Sequence, residues 1–229
     1  MAGWPSSTSA LAELQSRLAG ARPAPWEPPG LAVPVGGCAV CSLRRAPGPG
    51  AAGDPAWAAA VVLEQGRVTG SAACRGAAGA AFASGQLALR EGPLLEEVVR
   101  RLPAPPAVLL VHAAGRDHPR RSGLALMLGA LLDLPTVGVT TRPLRAEGPM
   151  PEDRAGATSP LRLDGEVVAS WVRVRAGLRP VVAHAAWRTG PETAAALVLA
   201  TSRVRMPEPL RLALEMARTL RAREGRRTR

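Results

Sequence analysis

The stretch from Ala107 to Leu144, AVLLVHAAGRDHPRRSGLALMLGALLDLPTVGVTTRPL, constrains this chain most. Ala107–Val111 is a short unbroken apolar run, the pattern of a strand buried on both faces. A polar turn follows with His112, Asp117, His118, Arg120 and Arg121. After it come an apolar helical pattern, a break at Asp133-Leu134-Pro135, and a second apolar run, Thr136–Thr140. Strand, helix, strand is a βαβ unit, which requires a sheet with parallel strands. Ligands of such sheets collect beyond the carboxyl ends of the strands, so the polar groups after Val111 mark the expected site.

The flanking segments supply the rest of the sheet. Residues 9–20 form an amphipathic helix with Leu11, Leu14 and Leu18 on one face. The Pro-rich stretch Pro23–Pro34 connects it to a strand over Val35–Leu43. A loop, Arg44–Pro55, leads to strands over Ala56–Leu63 and Val68–Cys74, joined by the turn Gln65-Gly66, which predicts an antiparallel meander. Residues 75–86 are small and irregular. From Leu87 the apolar residues Leu94, Leu95, Val98, Val99 and Leu102 share a helical face, until Pro103, Pro105 and Pro106 stop it. Beyond the loop Arg145–Ser159, Leu161–Leu163 and Val167–Ala176 read as a hairpin turning at Asp164-Gly165. Pro180–Ala183 is a further strand, and two helices follow, from Pro191 to about Arg203 and from Pro207 to about Arg221. The order predicts an α/β fold: one mixed sheet with helices on both faces, as in ribonuclease-H-like folds. Domain organisation is expected as an N-terminal helix and connector (1–34), a single domain (35–220) and a basic tail (221–229).

Charge narrows the partner class. The formal net charge is +11, of which the tail Arg221–Arg229 carries five Arg and one Glu. The basic body that remains suits contact with phosphate. All 29 basic residues are Arg; the chain has no Lys, Asn, Ile or Tyr, as a GC-rich genome dictates, so guanidinium geometry is not evidence of selection for it. Cys38 and Cys41 form one CxxC with no second half; with Cys74 they read as small buried apolar groups rather than a zinc or disulfide framework. The absence of a long apolar run or signal-like start implies a cytoplasmic, membrane-free protein, monomeric by default.

Four collinear runs carry a resemblance: FASGQLALREGPLLEEVVRRLP (82–103), HPRRSGLALMLGALLDLPTVGV (118–139), RPVVAHAAWRTGPETAAALVL (179–199) and RVRMPEPLRLA (203–213). They closely resemble the endonuclease V family. The resemblance implies a ribonuclease-H-like fold and magnesium-dependent cleavage of DNA or RNA one bond 3′ to a deaminated base, chiefly inosine. It also implies four metal-site positions, and of these only Glu91 is retained. The first-strand Asp falls on Cys38, the central-strand Asp on His112, the distal His on Trp187, and a nearby family Lys on Thr141. Thiol, imidazole and indole are not the hard oxygen ligands that magnesium takes. The base-pocket loop is matched by Phe82-Ala83-Ser84-Gly85 with Leu87, and the phosphate-facing turn by His118, Arg120 and Arg121; Phe82 serves either as a base wedge or as core.

The reading that follows is a nucleic-acid-binding member that has lost magnesium chemistry, a pseudoenzyme. The alternatives are a working nuclease recruiting Asp117 or Glu147 around Glu91; a zinc site built from Cys38, Glu91 and His112, with His118 as a possible fourth ligand; and a protein-interaction module on the same frame.

Overall fold

A computed structural model describes residues 3–28, 30, 32–43 and 50–227. Part of the expected connector (29 and 31), half of the Arg44–Pro55 loop (44–49) and the last two tail residues lie outside them. The elements are α1 (Thr8–Gly20), β1 (Val35–Ser42), β2 (Pro55–Glu64), β3 (Arg67–Ala77), α2 (Leu87–Arg100), β4 (Val108–Val111), α3 (Leu124–Leu132), β5 (Thr136–Thr140), β6 (Thr158–Leu163), β7 (Glu166–Val172), β8 (Val181–Ala185), α4 (Pro191–Thr201) and α5 (Glu208–Arg227). The strands form one eight-stranded sheet in the order β3-β2-β1-β4-β5-β8-β7-β6. β4 runs parallel to both β1 and β5, while every other neighbouring pair is antiparallel.

Period-two alternation explains why β4 is apolar throughout. Leu109 and Val111 face the layer of α1, α2 and α3, whereas Val108 and Leu110 face α4 and the start of α5. β2 divides its side chains similarly. Ala58 and Ala60 pack toward α2, and Trp57, Ala59 and Val61 toward α5. The expected mixed sheet with helices on both faces is therefore present.

Several boundaries differ from the sequence expectation. β3 continues through Ala77, because its outer edge tolerates small and polar residues that carry no apolar signal. β6 begins at Thr158 and includes Pro160; an edge strand accommodates proline, which has no N–H to donate to a ladder. α1 is no appendage: Leu11, Leu14 and Leu18 belong to the same core as α2 and α3. α5 runs past Arg221 to Arg227, so the basic tail begins as the last turns of a helix. The hairpin turn is as expected, with Asp164 at φ 51° and Gly165 at φ 80°.

One close approach sets the site. A Cβ on Gly138 of β5 would lie 2.3 Å from the carbonyl oxygen of Ala113. Only glycine lets the turn after β4 lie flat across β5.

Candidate functional site

Glu91 sits in the second turn of α2, above the sheet. Its neighbour Arg90 is buried and serves the frame. Arg90 Nη1 donates to the carbonyls of Ala51 (3.1 Å) and Ala80 (2.7 Å), and Nη2 lies 3.7 Å from the Asp54 carboxylate. Glu91 has no hydrogen-bond partner among the described residues. Burial pushes its carboxyl from 4.5 up to about 7, against the opposing pull of the Arg90 charge.

Cys38, on β1, is fully buried beside Val111 of β4, and its thiol donates to the Leu110 carbonyl at 3.9 Å. Burial, with the nearby Glu91 carboxylate adding to it, drives the thiol far above its ordinary value. Both effects keep it a neutral thiol. His112 projects from the end of β4 onto the wall of a concave cleft. Its side is exposed, yet the cleft walls desolvate it enough to lower its pKa. Trp187 follows β8 and is wedged against α3, where a Cβ on Gly129 would lie 2.5 Å from its own. Its backbone N–H donates to Thr136 Oγ1 (3.1 Å), and its indole N–H is buried without a partner.

These positions do not make a magnesium site. The four residues offer one carboxyl, one neutral thiol, one imidazole and one indole, and magnesium needs several hard oxygens in octahedral array. The zinc expectation is corrected too: among the described residues, no group of three or more His, Cys, Asp or Glu is placed to hold a metal. His118, its possible fourth ligand, is already engaged at both nitrogens. Arg120 N–H donates to its Nδ1 (3.1 Å), so Nε2 carries the proton and donates to the Gly85 carbonyl (3.1 Å). Burial lowers its pKa, consistent with this neutral form.

Recruitment of Asp117 or Glu147 is likewise corrected. Asp117 is fully buried, and both oxygens are taken by backbone donors: Leu144 N to Oδ2, Arg145 N and Ala146 N to Oδ1, each at 2.7 Å. It is an anchor for the segment after β5. Glu147 is exposed, with its backbone bridged to Arg162.

What the structure does bring together is a cleft of about 240 Å³ whose wall includes Phe82, Gly85, Leu87, His112, His118 and Thr140. This is smaller than a drug-sized pocket and suits one planar group. Phe82 is 52% exposed, so it stands at the rim rather than in the core. His118 ties the 82–85 loop to the turn after β4, and Gly85 at φ 75° makes that approach possible. Arg120 is exposed, but Arg121 is not a free cation. It ion-pairs with Glu166, lies 3.9 Å from Asp164, and donates to the Leu163 carbonyl at 3.0 Å, pinning the β6–β7 hairpin.

Sequence reasoning missed a buried chain under this cleft. His184 of β8 is fully buried, its Nε2 2.7 Å from Thr140 Oγ1 and its Nδ1 3.6 Å from Asp117 Oδ2. The Thr140 hydroxyl proton is used on the Arg142 carbonyl (2.6 Å), so its oxygen accepts from Nε2. Nδ1 is then an unpartnered lone pair. The only available signal was His184 itself, a polar residue inside an apolar run.

The raised Glu91 carboxyl has a measurable consequence. A folded pKa above the unfolded one stabilises below pH 4.5, and this contribution is lost as pH rises through 7. The stability of Glu91→Gln relative to the unsubstituted protein is therefore expected to improve by about 2 kcal/mol between pH 4 and pH 8, after allowance for partial exposure. Urea unfolding at the two pH values measures it; a pH-independent difference contradicts the assignment.

Comparison with known proteins places these features. Residues 46–215 match the sequence profile of the family described as Endonuclease V. Endonuclease V of Streptomyces coelicolor is 35% identical over 224 residues, covering 95% of this chain and 92% of that protein. The crystal structure of endonuclease V from Streptomyces avermitilis superposes with a TM-score of 0.86 at 31% identity, covering 98% and 97% of the two chains. Ciona intestinalis endonuclease V, crystallised with a 24mer DNA containing an inosine followed by a ribo-adenosine, has the same fold. Its TM-score is 0.75 at 20% identity, with coverage of 95% and 99%. The sheet and helices described above are thus those of a ribonuclease-H-like endonuclease V fold.

Proposed function

We propose, from the premise that the chain belongs to the endonuclease V family, that it binds nucleic acid containing a deaminated base without cutting it through magnesium. The observation that carries this reading is the state of Cys38. At the position of a metal-binding Asp stands a neutral thiol, fully buried and bonded to the Leu110 carbonyl. Beside it Glu91 is the single acid among the four positions, its carboxyl pushed up to about 7 by burial.

The binding half of the reading rests on the cleft. A base turned out of its stack needs a planar slot and an aromatic neighbour. The 240 Å³ cleft supplies the slot, and Phe82 at its rim supplies the ring. A net charge of +11 attracts the phosphate backbone around it. The relative from Ciona intestinalis, whose structure holds inosine-containing DNA, supports inosine as the first base to test.

The test pairs cleavage with binding. End-labelled single strands with and without inosine are incubated with the protein in magnesium or manganese, and the same strands are titrated by fluorescence anisotropy at fixed salt. The expected result is tighter binding of the inosine strand, no nick, and no change in Tm on adding magnesium. Magnesium-dependent nicking that disappears in Glu91→Ala sinks the non-cleaving half. Equal, weak affinity for every strand at physiological salt sinks the binding half and favours a protein-interaction role.

A further inference from the structure

Arg142 belongs to two clefts at once. It lines the base-sized cleft just described and also a second groove of about 420 Å³ formed by Thr141, Met150, Trp171, Arg179 and Arg205. The second groove has no carboxylate in its wall. Among the described residues, none of its three Arg side chains lies within 4.0 Å of an acidic group. Elsewhere on this surface Arg is commonly matched by acid, as at Arg100–Glu96, Arg101–Glu97 and Arg211–Glu208. Three uncompensated guanidiniums around one concavity repel one another until an anion arrives.

The groove is built to present that charge. Arg205 donates Nε to the Arg179 carbonyl (3.1 Å) and Nη2 to the Pro180 carbonyl (3.3 Å), fixing its guanidinium at the wall with other N–H groups unused. Arg142 and Arg179 are exposed and donate no side-chain hydrogen bond among the described residues. Met150, 60% exposed, stands beside the nearly buried Trp171, giving the cationic groove one apolar surface. Alternating guanidinium and apolar contact is the chemistry of a single nucleic-acid strand, whose phosphates meet Arg while sugars and bases meet apolar side chains.

We propose that this second groove holds the single strand that flanks the base seated in the first cleft, with Arg142 bridging the two. The proposal rests on the nucleic-acid reading above. It commits to a strand continuous with the bound base rather than to a free phosphate or nucleotide, because the groove and the first cleft share Arg142 in their walls and Thr140 and Thr141, consecutive in the chain, line one each.

Length dependence tests it. The full-length protein is titrated with inosine single strands of five nucleotides and with strands extended by eight nucleotides on one side or the other. Extension on one side is expected to tighten binding, and Arg179→Glu to remove at least tenfold of the affinity for that strand while leaving the five-nucleotide strand unchanged. The slope of log affinity against log salt for the extended strand is expected to flatten by about 0.7 for each phosphate that is no longer neutralised. Arg179→Lys, which keeps the charge, is expected to retain most of the affinity and shows that the loss is not misfolding. Inorganic phosphate or adenosine monophosphate at millimolar concentration should compete no better than the salt they add; specific competition by either overturns the strand assignment. Unchanged affinity and slope in Arg179→Glu, with the native protein still binding inosine strands, overturns the groove alone. Failure of the native protein to bind any strand overturns this inference together with the reading beneath it.

Discussion

Replacing Cys38 and His112 together by Asp is expected to give the protein a magnesium-dependent stability greater than that of the native chain. Cys38→Asp alone puts a carboxyl at a fully buried position, close enough to Glu91 for its charge to be felt there. With no cation, that carboxylate is unpaired and next to a like charge, a change that costs about 3–5 kcal/mol at pH 8 in chelator. Two carboxyls do not make a magnesium shell. A third at position 112, at the end of the neighbouring strand β4, adds an oxygen ligand from the strand paired with β1. In the double variant, magnesium at a hundred times its Kd is expected to return about 2.7 kcal/mol. Calorimetric Tm values with magnesium and with chelator, for native, single and double variants, measure this. The expected order is no shift in the native protein, a small one in Cys38→Asp and the largest in the double variant. A double variant whose Tm ignores magnesium shows that the lost carboxylates are not what separates this site from a cation site.

This prediction depends on a part of the molecule that is legible in the amino-acid sequence. The buried run Ala107–Val111 and the run Thr136–Thr140 are two of the three parallel strands, and the register Cys38–Val111 places Cys38 beside the residue that precedes His112. Strong apolar periodicity and turn chemistry made these elements readable, as they did the Asp164-Gly165 hairpin. What the sequence leaves unread has a common cause: it lies where tertiary partners, not local pattern, decide. Arg121 has the sequence of a phosphate-binding turn, yet Glu166 and Leu163, more than forty residues on, take its guanidinium. His118 reads as a ligand or substrate contact but closes the turn onto Gly85. The soft-metal set Cys38, Glu91, His112 was plausible by residue type. It fails on geometry: among the described residues no three of His, Cys, Asp or Glu converge closely enough to hold a metal. Phe82 could not be assigned by composition, and its exposure decides for the rim.

Asp117→Ala is expected to be among the most damaging single substitutions in the protein, although nothing in the sequence marks it as structural. Its carboxylate accepts three backbone N–H groups at 2.7 Å, from Leu144, Arg145 and Ala146, in a site closed to water. Alanine leaves those donors unpaired, at a cost of about 3–5 kcal/mol. It also frees the segment that carries Arg142 and Leu144 into the cleft, so binding should weaken along with stability. Asp117→Asn is expected to cost less. Its single oxygen can keep Arg145 and Ala146, and its amide can face the bare Nδ1 of His184, now 3.6 Å from Oδ2. The same imidazole gives the fold a contribution that weakens in acid. Burial depresses the His184 pKa below its ordinary 6.5, although Asp117 pulls the other way. As pH falls below 6.5 the unfolded chain takes up a proton that the folded chain refuses. Stability is therefore lost at up to about 1.4 kcal/mol per pH unit, until the folded pKa is passed. Chemical denaturation from pH 7.5 to 4.5 should show this slope in the difference between the native protein and His184→Gln, in which the contributions of Glu91, His112 and His118 are shared and cancel. A difference between the two proteins that does not change with pH removes His184 from the account.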